Sequence, residues 1–480
     1  MIESNAVQFL SPQYRRLSET QLRRIHEASL EILEHIGVRL YEEEAVILCK
    51  KAGMDVVDGN LVYFPSWRVE WALGIVPKQI VLYDQEGTPR IRLSGQRSYY
   101  GNGSDLLFII DHHSGIRRKA VFQDVRDIIW LLDALPGYDF VMSGFLPSDV
   151  PTERAECMQM LAMLENTKKP IIYVTTNLPR TQEAIAMAEM VAGGAPELRR
   201  RPFAVNYVNI SGPLKHNSES LQKLLWLAEK NLPVIYRPAI ANRGLSAPIT
   251  AAGFLAMNNA AALAGVVLSQ LKREGAPFLR CSCAGGTFDM KTMVGLHSAP
   301  EIRGFNEELA HFYRMPCFGL GGTTDAKAVD QQAALEAALT LMSATLSGAQ
   351  LIHDVGYMES GLAGSHVQLF ICHEIIQWLA QYMKGLIINE ETLALDIIEK
   401  VGPEQSFLDT DHTYRHFRED HYPVLLDRRR YDEWAAAGST SLADQAKEKV
   451  DEILTEHPPR KLPESTLRDL RRLAEEGLHF

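Results

Sequence analysis

The chain has 480 residues, 46% of them apolar and 23% charged, which suits a large globular protein and excludes a disordered or fibrous one. A formal net charge of −11 argues against nucleic acid and anionic membranes as partners, since a polyanion is repelled on average. The six cysteines, Cys49, Cys157, Cys281, Cys283, Cys317 and Cys372, are scattered, and MIESNAVQFL has no basic segment leading into an apolar run, so reduced thiols in a cytoplasmic protein are expected.

Residues 1–90 read as an N-terminal α+β layer without obvious chemistry. Ser18-Glu19-Thr20-Gln21 is a capping box, and the apolar spacing that follows predicts a helix running to Gly37. YEEEAVILCKKAG predicts a second helix ending at Gly53.

From about residue 98, strand-like and helix-like segments alternate. The strand-like ones are SYYGNGSDLLFIID, YDFVMSGF, PIIYVTTN, FAVNYVNISG, PVIYRPAI, PFLRCSCAGG, PCFGLGGTTDAK and QLIHDVGYMES, each followed by a helical pattern. Such alternation means parallel pairing with right-handed crossovers, and eight units predict a (β/α)8 TIM barrel over residues 91–385. A doubly wound sheet is the rival, but Gly101 and Gly103 lack the third glycine of a phosphate loop. The apolar run AAALAGVVL (260–268) is too short to span a bilayer and suits a packed internal helix. Residues 386–480 predict a C-terminal extension of charged, solvated helices, with EHPPRKLPES as a linker.

In a barrel the active site gathers at the C-terminal strand ends. There the sequence places Tyr99, Tyr100 and Asn102; Tyr173; Tyr207 and Asn209; Tyr236 and Arg237; Arg280, Cys281 and Cys283; Thr323, Thr324 and Asp325; and His353, Asp354 and Tyr357. Recurring phenols can cage a cation, each well-placed face contributing roughly 0.5–2 kcal/mol. Tyr207 and Asn209 share one side of a strand, whereas Tyr236 and Arg237 point oppositely and cannot both face the lumen. Asn209, His353 and Arg237 are candidates to hold a carboxylate. The expected substrate-binding set is Tyr99, Tyr100, Tyr207, Asn209, Tyr236, Arg237, His353 and Tyr357. Cys281 and Cys283, with His297 or His353, make a weak zinc pattern, since no second Cys-x-x-Cys or His-x-x-x-His accompanies them; no metal site is expected.

The stretches YYGNGSDLLFIIDHHSGIRRKA, PVIYRPAIANRGLSAPITAAGFLAMNNAAALAGVVLSQL, GGTTDAK and HDVGYMESG, in this order, resemble the trimethylamine methyltransferase family over nearly the whole chain. All residues are standard, so the likeness is to the branch without pyrrolysine, nearest its members acting on glycine betaine. The resemblance implies transfer of a methyl group from a quaternary amine to the Co(I) of a corrinoid protein. Proline betaine, carnitine and a zinc-dependent barrel chemistry are the alternatives. It implies orientation more than acid–base catalysis, with His353 the one catalytic candidate. The corrinoid is expected on a separate protein docked over the barrel mouth, because Asp111-His112-His113-Ser114-Gly115-Ile116 puts isoleucine where the corrinoid-binding Asp-x-His-x-x-Gly pattern needs glycine. A homo-oligomer is expected, with the charged C-terminal helices as a candidate contact.

Overall fold

The computed structural model describes the chain apart from residues 6–13, 239–241, 283–285, 420–421, 459, 461 and 479–480. It is a mixed α/β fold around one curled eight-stranded sheet. The strands are β1 (Ile2–Glu3), β2 (Arg97–Tyr100), β3 (Ile171–Val174), β4 (Ala204–Asn209), β5 (Val234–Arg237), β6 (Phe278–Cys281), β7 (Cys317–Leu320) and β8 (Leu351–His353). Their order is β1-β2-β8-β7-β6-β5-β4-β3. Strands β2 to β8 pair in parallel, and β1 adds an antiparallel edge against Arg97 and Ser98.

The predicted second strand, YDFVMSGF, is not one of the eight. Residues 139–142 run between β2 and β3 with a single parallel bridge, Val141 to Ile171, and the N–H of Asp139 donates to the Tyr100 carbonyl at 2.7 Å. The segment is held partly by a side chain: Asn102 Oδ1 accepts from Met142 N–H at 2.7 Å, and its Nδ2 donates to the Met142 carbonyl at 2.8 Å.

Helices wrap the sheet as the alternation requires: α1 (Glu19–Glu31), α2 (Phe122–Ala134), α3 (Ala155–Asn166), α4 (Leu178–Ala192), α5 (Ser218–Lys230), α6 (Ala251–Lys272), α7 (Phe305–Phe312), α8 (Gln331–Leu346) and α9 (His366–Met383). The Ser18 capping box opens α1, with Gln21 N–H on Ser18 Oγ at 3.2 Å and Ser18 N–H on Gln21 Oε1 at 2.8 Å. The helix then widens into a π turn over Ile32–Ile36 and stops at Gly37. Helix α6 is long and apolar enough to cross a membrane, contrary to the reading of its central run as too short, but 78% of its most apolar window is buried inside the fold. It packs against α1, α5 and the helix Ser66–Ile75.

Inward-facing residues alternate along each strand, as the pleat dictates. Tyr99, Ile172, Val205, Tyr207, Ile235, Leu279, Phe318 and Leu351 form one buried cluster inside the curled sheet. A hairpin, Ile80–Tyr83 with Pro89–Leu93, adds Ile80, Leu82, Ile91 and Leu93 to it. Tyr83 N–H donates to the carbonyl of Pro202, just before β4, and Gln85 N–H to that of Lys168, just before β3. The hairpin thus caps the N-terminal end of the sheet.

The charged tail departs from the expectation of solvated helices. Helices α10 (Leu442–Glu456) and α11 (Glu464–Glu476) bury Ala446, Val450, Leu470, Leu473 and Ala474. Helix α10 packs on α9 and α2, and α11 on α3 and α4. Their charges cover only the outward face of amphipathic helices. The intervening linker is anchored too: Arg460 donates to the carbonyls of Leu164 and Thr167, each at 2.7 Å.

Candidate active site

A cavity of about 530 Å³ opens at the C-terminal ends of the strands. Tyr207, Asn209, Arg237, His353 and Tyr357 line it, five of the eight residues expected to bind substrate. The first four share the inward parity of their strands, and Tyr357 opens the short strand Tyr357–Met358 that follows β8.

The other three lie elsewhere. Tyr99 points inward but deep, where its Oη accepts from Arg92 N–H of the capping hairpin at 3.1 Å. Tyr100 has outward parity and shares a hydrogen bond with Thr345 of α8 at 2.8 Å. Tyr236 also faces outward, against Gly265 of α6, with its Oη 2.9 Å from His216 Nδ1. The opposition of Tyr236 and Arg237 is resolved in favour of Arg237.

Asp354 is the centre that the expected set omitted. Its Oδ2 lies 3.4 Å from His297 Nε2 and 3.5 Å from His353 Nε2. Burial pushes this carboxyl up, but His353, His297 and Arg237 outweigh it and hold its pKa below the ordinary aspartate value. The cavity therefore carries a buried carboxylate. Its backbone is left-handed, φ +61°, as are those of Asp105 and Ser360, which also line the cavity. Non-glycine residues in that region cluster where surrounding structure over-determines them.

The rings are equally constrained. His353 stacks on Phe318 with centroids 3.8 Å apart, and Tyr207 meets both edge-on at 5.0 and 5.6 Å. His297 stacks on Tyr357 at 6.0 Å. The Tyr357 hydroxyl donates to the carbonyl of Ser104. Burial, together with the negative charge of Asp354 and Asp105, pushes this phenol well above its usual pKa, so it stays neutral. Gly103 is required by close approach: a Cβ there would collide with Asp354 and the Tyr357 ring.

His297 is placed by Asp325, whose carboxylate accepts from the N–H groups of His297 and Ser298 at 3.0 and 3.2 Å and from Ser360 Oγ at 2.8 Å. The roof includes Asn242 and a short hairpin, Phe288–Asp289 with Val294–Gly295, tied down by Arg243 Nη2 on Thr287 Oγ1 at 2.7 Å. Asn209 Oδ1 is buried without a hydrogen-bond partner.

Cys281 ends β6 inside the apolar cluster, and Cys283 lies outside the described residues. Among the described residues, the two groups able to hold a metal are His112 with His113 and Asp451, and Glu391 with His412 and His416; neither contains a cysteine. Asp111 organises a tight turn, accepting from His113 N–H at 3.1 Å and Ser114 N–H at 2.9 Å.

The sequence profile described as trimethylamine methyltransferase (MTTB) matches residues 3–476. This chain belongs to the trimethylamine methyltransferase family. It is a methyltransferase, similar at 31% identity over 463 residues to trimethylamine methyltransferase MttB of Desulfitobacterium hafniense (strain DSM 10664 / DCB-2), covering 96% of this chain and 93% of that one. It is likewise 31% identical over 436 residues to a glycine betaine methyltransferase of Desulfitobacterium hafniense (strain Y51), covering 89% of each. Trimethylamine methyltransferase MttB of Methanosarcina barkeri (strain Fusaro / DSM 804) is 29% identical over 467 residues, 95% of this chain and 94% of that one.

Proposed function

We propose that this methyltransferase takes a methyl group from a small betaine, glycine betaine first among them, and passes it to the Co(I) of a separate corrinoid protein, releasing dimethylglycine. What supports the reading is the mixed charge of the cavity lining, a carboxylate and a guanidinium among aromatic rings. Asp354 and the rings of Tyr207, Tyr357 and His297 suit an onium head, while Arg237 and Asn209 suit a carboxylate. Trimethylamine has no carboxylate for Arg237 and Asn209 to meet.

The reaction breaks a C–N bond and forms a C–Co bond. Both electrons of the C–N bond stay on nitrogen, which leaves as a neutral tertiary amine, and Co(I) supplies the pair for the new bond and becomes methyl-Co(III). No proton is exchanged, so the chain needs to orient the substrate rather than supply an acid. Positive charge leaves nitrogen as the bond breaks. A carboxylate and rings that gripped the cation too tightly would slow the step, and His297 and His353 temper Asp354 by sharing its charge. We place the corrinoid protein over the mouth, where Leu245, Ile249, Met290 and Met293 stand exposed. On this reading residues 139–142 complete the sheet into a (β/α)8 barrel, with residues 1–90 and 386–480 as its N-terminal layer and C-terminal extension.

The test is a panel of trimethylamine, choline, glycine betaine, proline betaine and carnitine, each incubated with the protein and a Co(I) corrinoid protein, following methylcobalt absorbance. Glycine betaine should react and choline should not. Methyl transfer from choline or trimethylamine at rates equal to glycine betaine would sink the assignment.

A further inference from the structure

The turn at Asp111–Gly115 lies outside the cavity and carries chemistry that methyl transfer does not use. It joins the strands of a hairpin, Phe108–Ile110 with Arg117–Lys119, and its two histidines meet Asp451 of α10. Asp111 shapes the turn: its carboxylate also accepts from Ser114 Oγ at 2.9 Å, and its carbonyl accepts from Gly115 N–H at 2.8 Å. Lys447, one helical turn before Asp451, donates from Nζ to the His113 carbonyl at 3.1 Å and holds the turn against α10. Segments distant in the chain thus bring two imidazoles and a carboxylate together.

The distances are those of co-ligands. His112 Nε2 lies 3.2 Å from Asp451 Oδ1, and His113 Nδ1 lies 3.8 Å from the same oxygen. Two ligand atoms of one tetrahedral Zn²⁺ stand ~3.3 Å apart. The His112 side chain is only 9% exposed, yet its Nε2 has no hydrogen-bond partner. At 3.2 Å a donating N–H aimed at the carboxylate would make one, so Asp451 Oδ1 stands off the axis of the ring nitrogen. Ligands of one ion are arranged in this way, because each aims its lone pair at the metal and not at its neighbour.

The surroundings fit a neutral imidazole ligand. His112 Nδ1 lies 3.4 Å from Nδ1 of His366, the buried first residue of α9. A proton on His112 Nδ1, donated to His366, leaves Nε2 with its lone pair free, the outer-shell arrangement usual for a metal-binding histidine. His113 is exposed, which gives an ion a way in from solvent. The second group able to hold a metal lacks these features. There His416 places both ring nitrogens on carboxylates, Glu391 at 3.1 Å and Glu419 at 2.8 Å, and His412 Nε2 lies 3.2 Å from the Glu391 carbonyl.

We propose that His112 Nε2, His113 Nδ1 and the Asp451 carboxylate bind one divalent transition-metal ion of the Zn²⁺ class, with water completing a tetrahedron. The ion clasps α10 of the C-terminal tail to the hairpin turn. That hairpin pairs through Ala363–Gly364 with the strand Tyr357–Met358, whose tyrosine lines the cavity, so the clasp fixes the tail beside the cavity wall. The proposal is independent of the methyl donor and of the corrinoid protein.

The test is calorimetric titration of the full chain, free of any affinity tag and stripped with EDTA, with Zn²⁺ alone. The native chain should bind one equivalent with micromolar affinity or tighter. His113→Ala and Asp451→Asn replace side chains that solvent already reaches, and unchanged far-UV circular dichroism checks that both variants fold. Each should weaken Zn²⁺ binding at least about 100-fold, the upper end of what loss of a mere outer-shell partner costs, while His416→Ala should leave it unchanged. Zn²⁺ should raise the thermal midpoint of the native chain and of the His416→Ala variant, but not of the other two. A native chain without micromolar Zn²⁺ binding, binding indifferent to both His113→Ala and Asp451→Asn, or binding lost in His416→Ala overturns the proposal.

Discussion

The imidazole of His353 lies flat against Phe318, with centroids 3.8 Å apart and planes 20° apart, so the last residue of β8 is clamped to the middle of β7. Its Nδ1 donates to the carbonyl of Gly319, leaving Nε2 facing Asp354. The ring is thus fixed in both tilt and rotation, with its Nε2 edge turned to Asp354 and the cavity.

Replacing His353 with glutamine should lower kcat/KM for methyl transfer about 10- to 100-fold, the usual cost of losing a hydrogen bond to a charged group. The assay is methylcobalt formation under first-order conditions in substrate. An unchanged rate in a folded H353Q protein would remove this residue from the site.

Asp354→Asn separates charge from backbone. Asparagine tolerates the left-handed conformation at φ +61° nearly as well as aspartate, so the turn should hold. Loss of the carboxylate should raise KM for a cationic substrate at least about 10-fold, while the thermal midpoint moves little. Asp354→Ala should lower the midpoint as well, because alanine is strained there.

Arg237→Met tests the guanidinium of the cavity lining. Affinity for a betaine should fall by about 10- to 100-fold. A quaternary amine without a carboxylate, such as tetramethylammonium, should bind equally well to both forms, as measured by calorimetric titration. Equal losses for both ligands would mean that Arg237 only supports the wall.

Acid should unfold the protein earlier than its carboxylates alone suggest. Burial lowers the pKa of His216 to about 3 and of His311, His366 and His373 to about 4. Each is neutral when folded and binds a proton near pH 6.5 when unfolded. Their contribution is fully present above pH 6.5 and is lost as pH falls towards 4, on the order of 3 kcal/mol for each fully buried ring. Thermal midpoints should be level from pH 7 to 8 and drop steeply below about 6. A midpoint unchanged down to pH 5 would contradict the neutral burial of these rings.

Sequence reading reached the alternation of strands and helices because each element advertises its own period. It names Asp354 at a strand end but leaves it out of the binding set. Asp354 sits one residue beyond the strand, in a left-handed turn where strand parity no longer says which way a side chain points. Tyr236 and Tyr100 were credited to the cavity because tyrosine is as much at home between sheet and helix as in a pocket, and only the register separates the two. Tyr99 has the right parity and the wrong depth; depth depends on the Ile80–Leu93 hairpin, whose packing against the end of the sheet leaves no periodic trace. Residues 139–142 looked like a strand, yet they borrow pairing from the Asn102 side chain, a long-range contact invisible to local pattern. The tail was misjudged because charge on one helical face hides apolar residues on the other.

The hairpin that stoppers the N-terminal end of the sheet makes the cavity a dead-end well. Under the proposed function, an amine demethylated there would leave through the same mouth over which the methyl acceptor docks. Turnover would then alternate: the acceptor would depart before the spent amine escapes, and its undocking rate would set a ceiling on throughput.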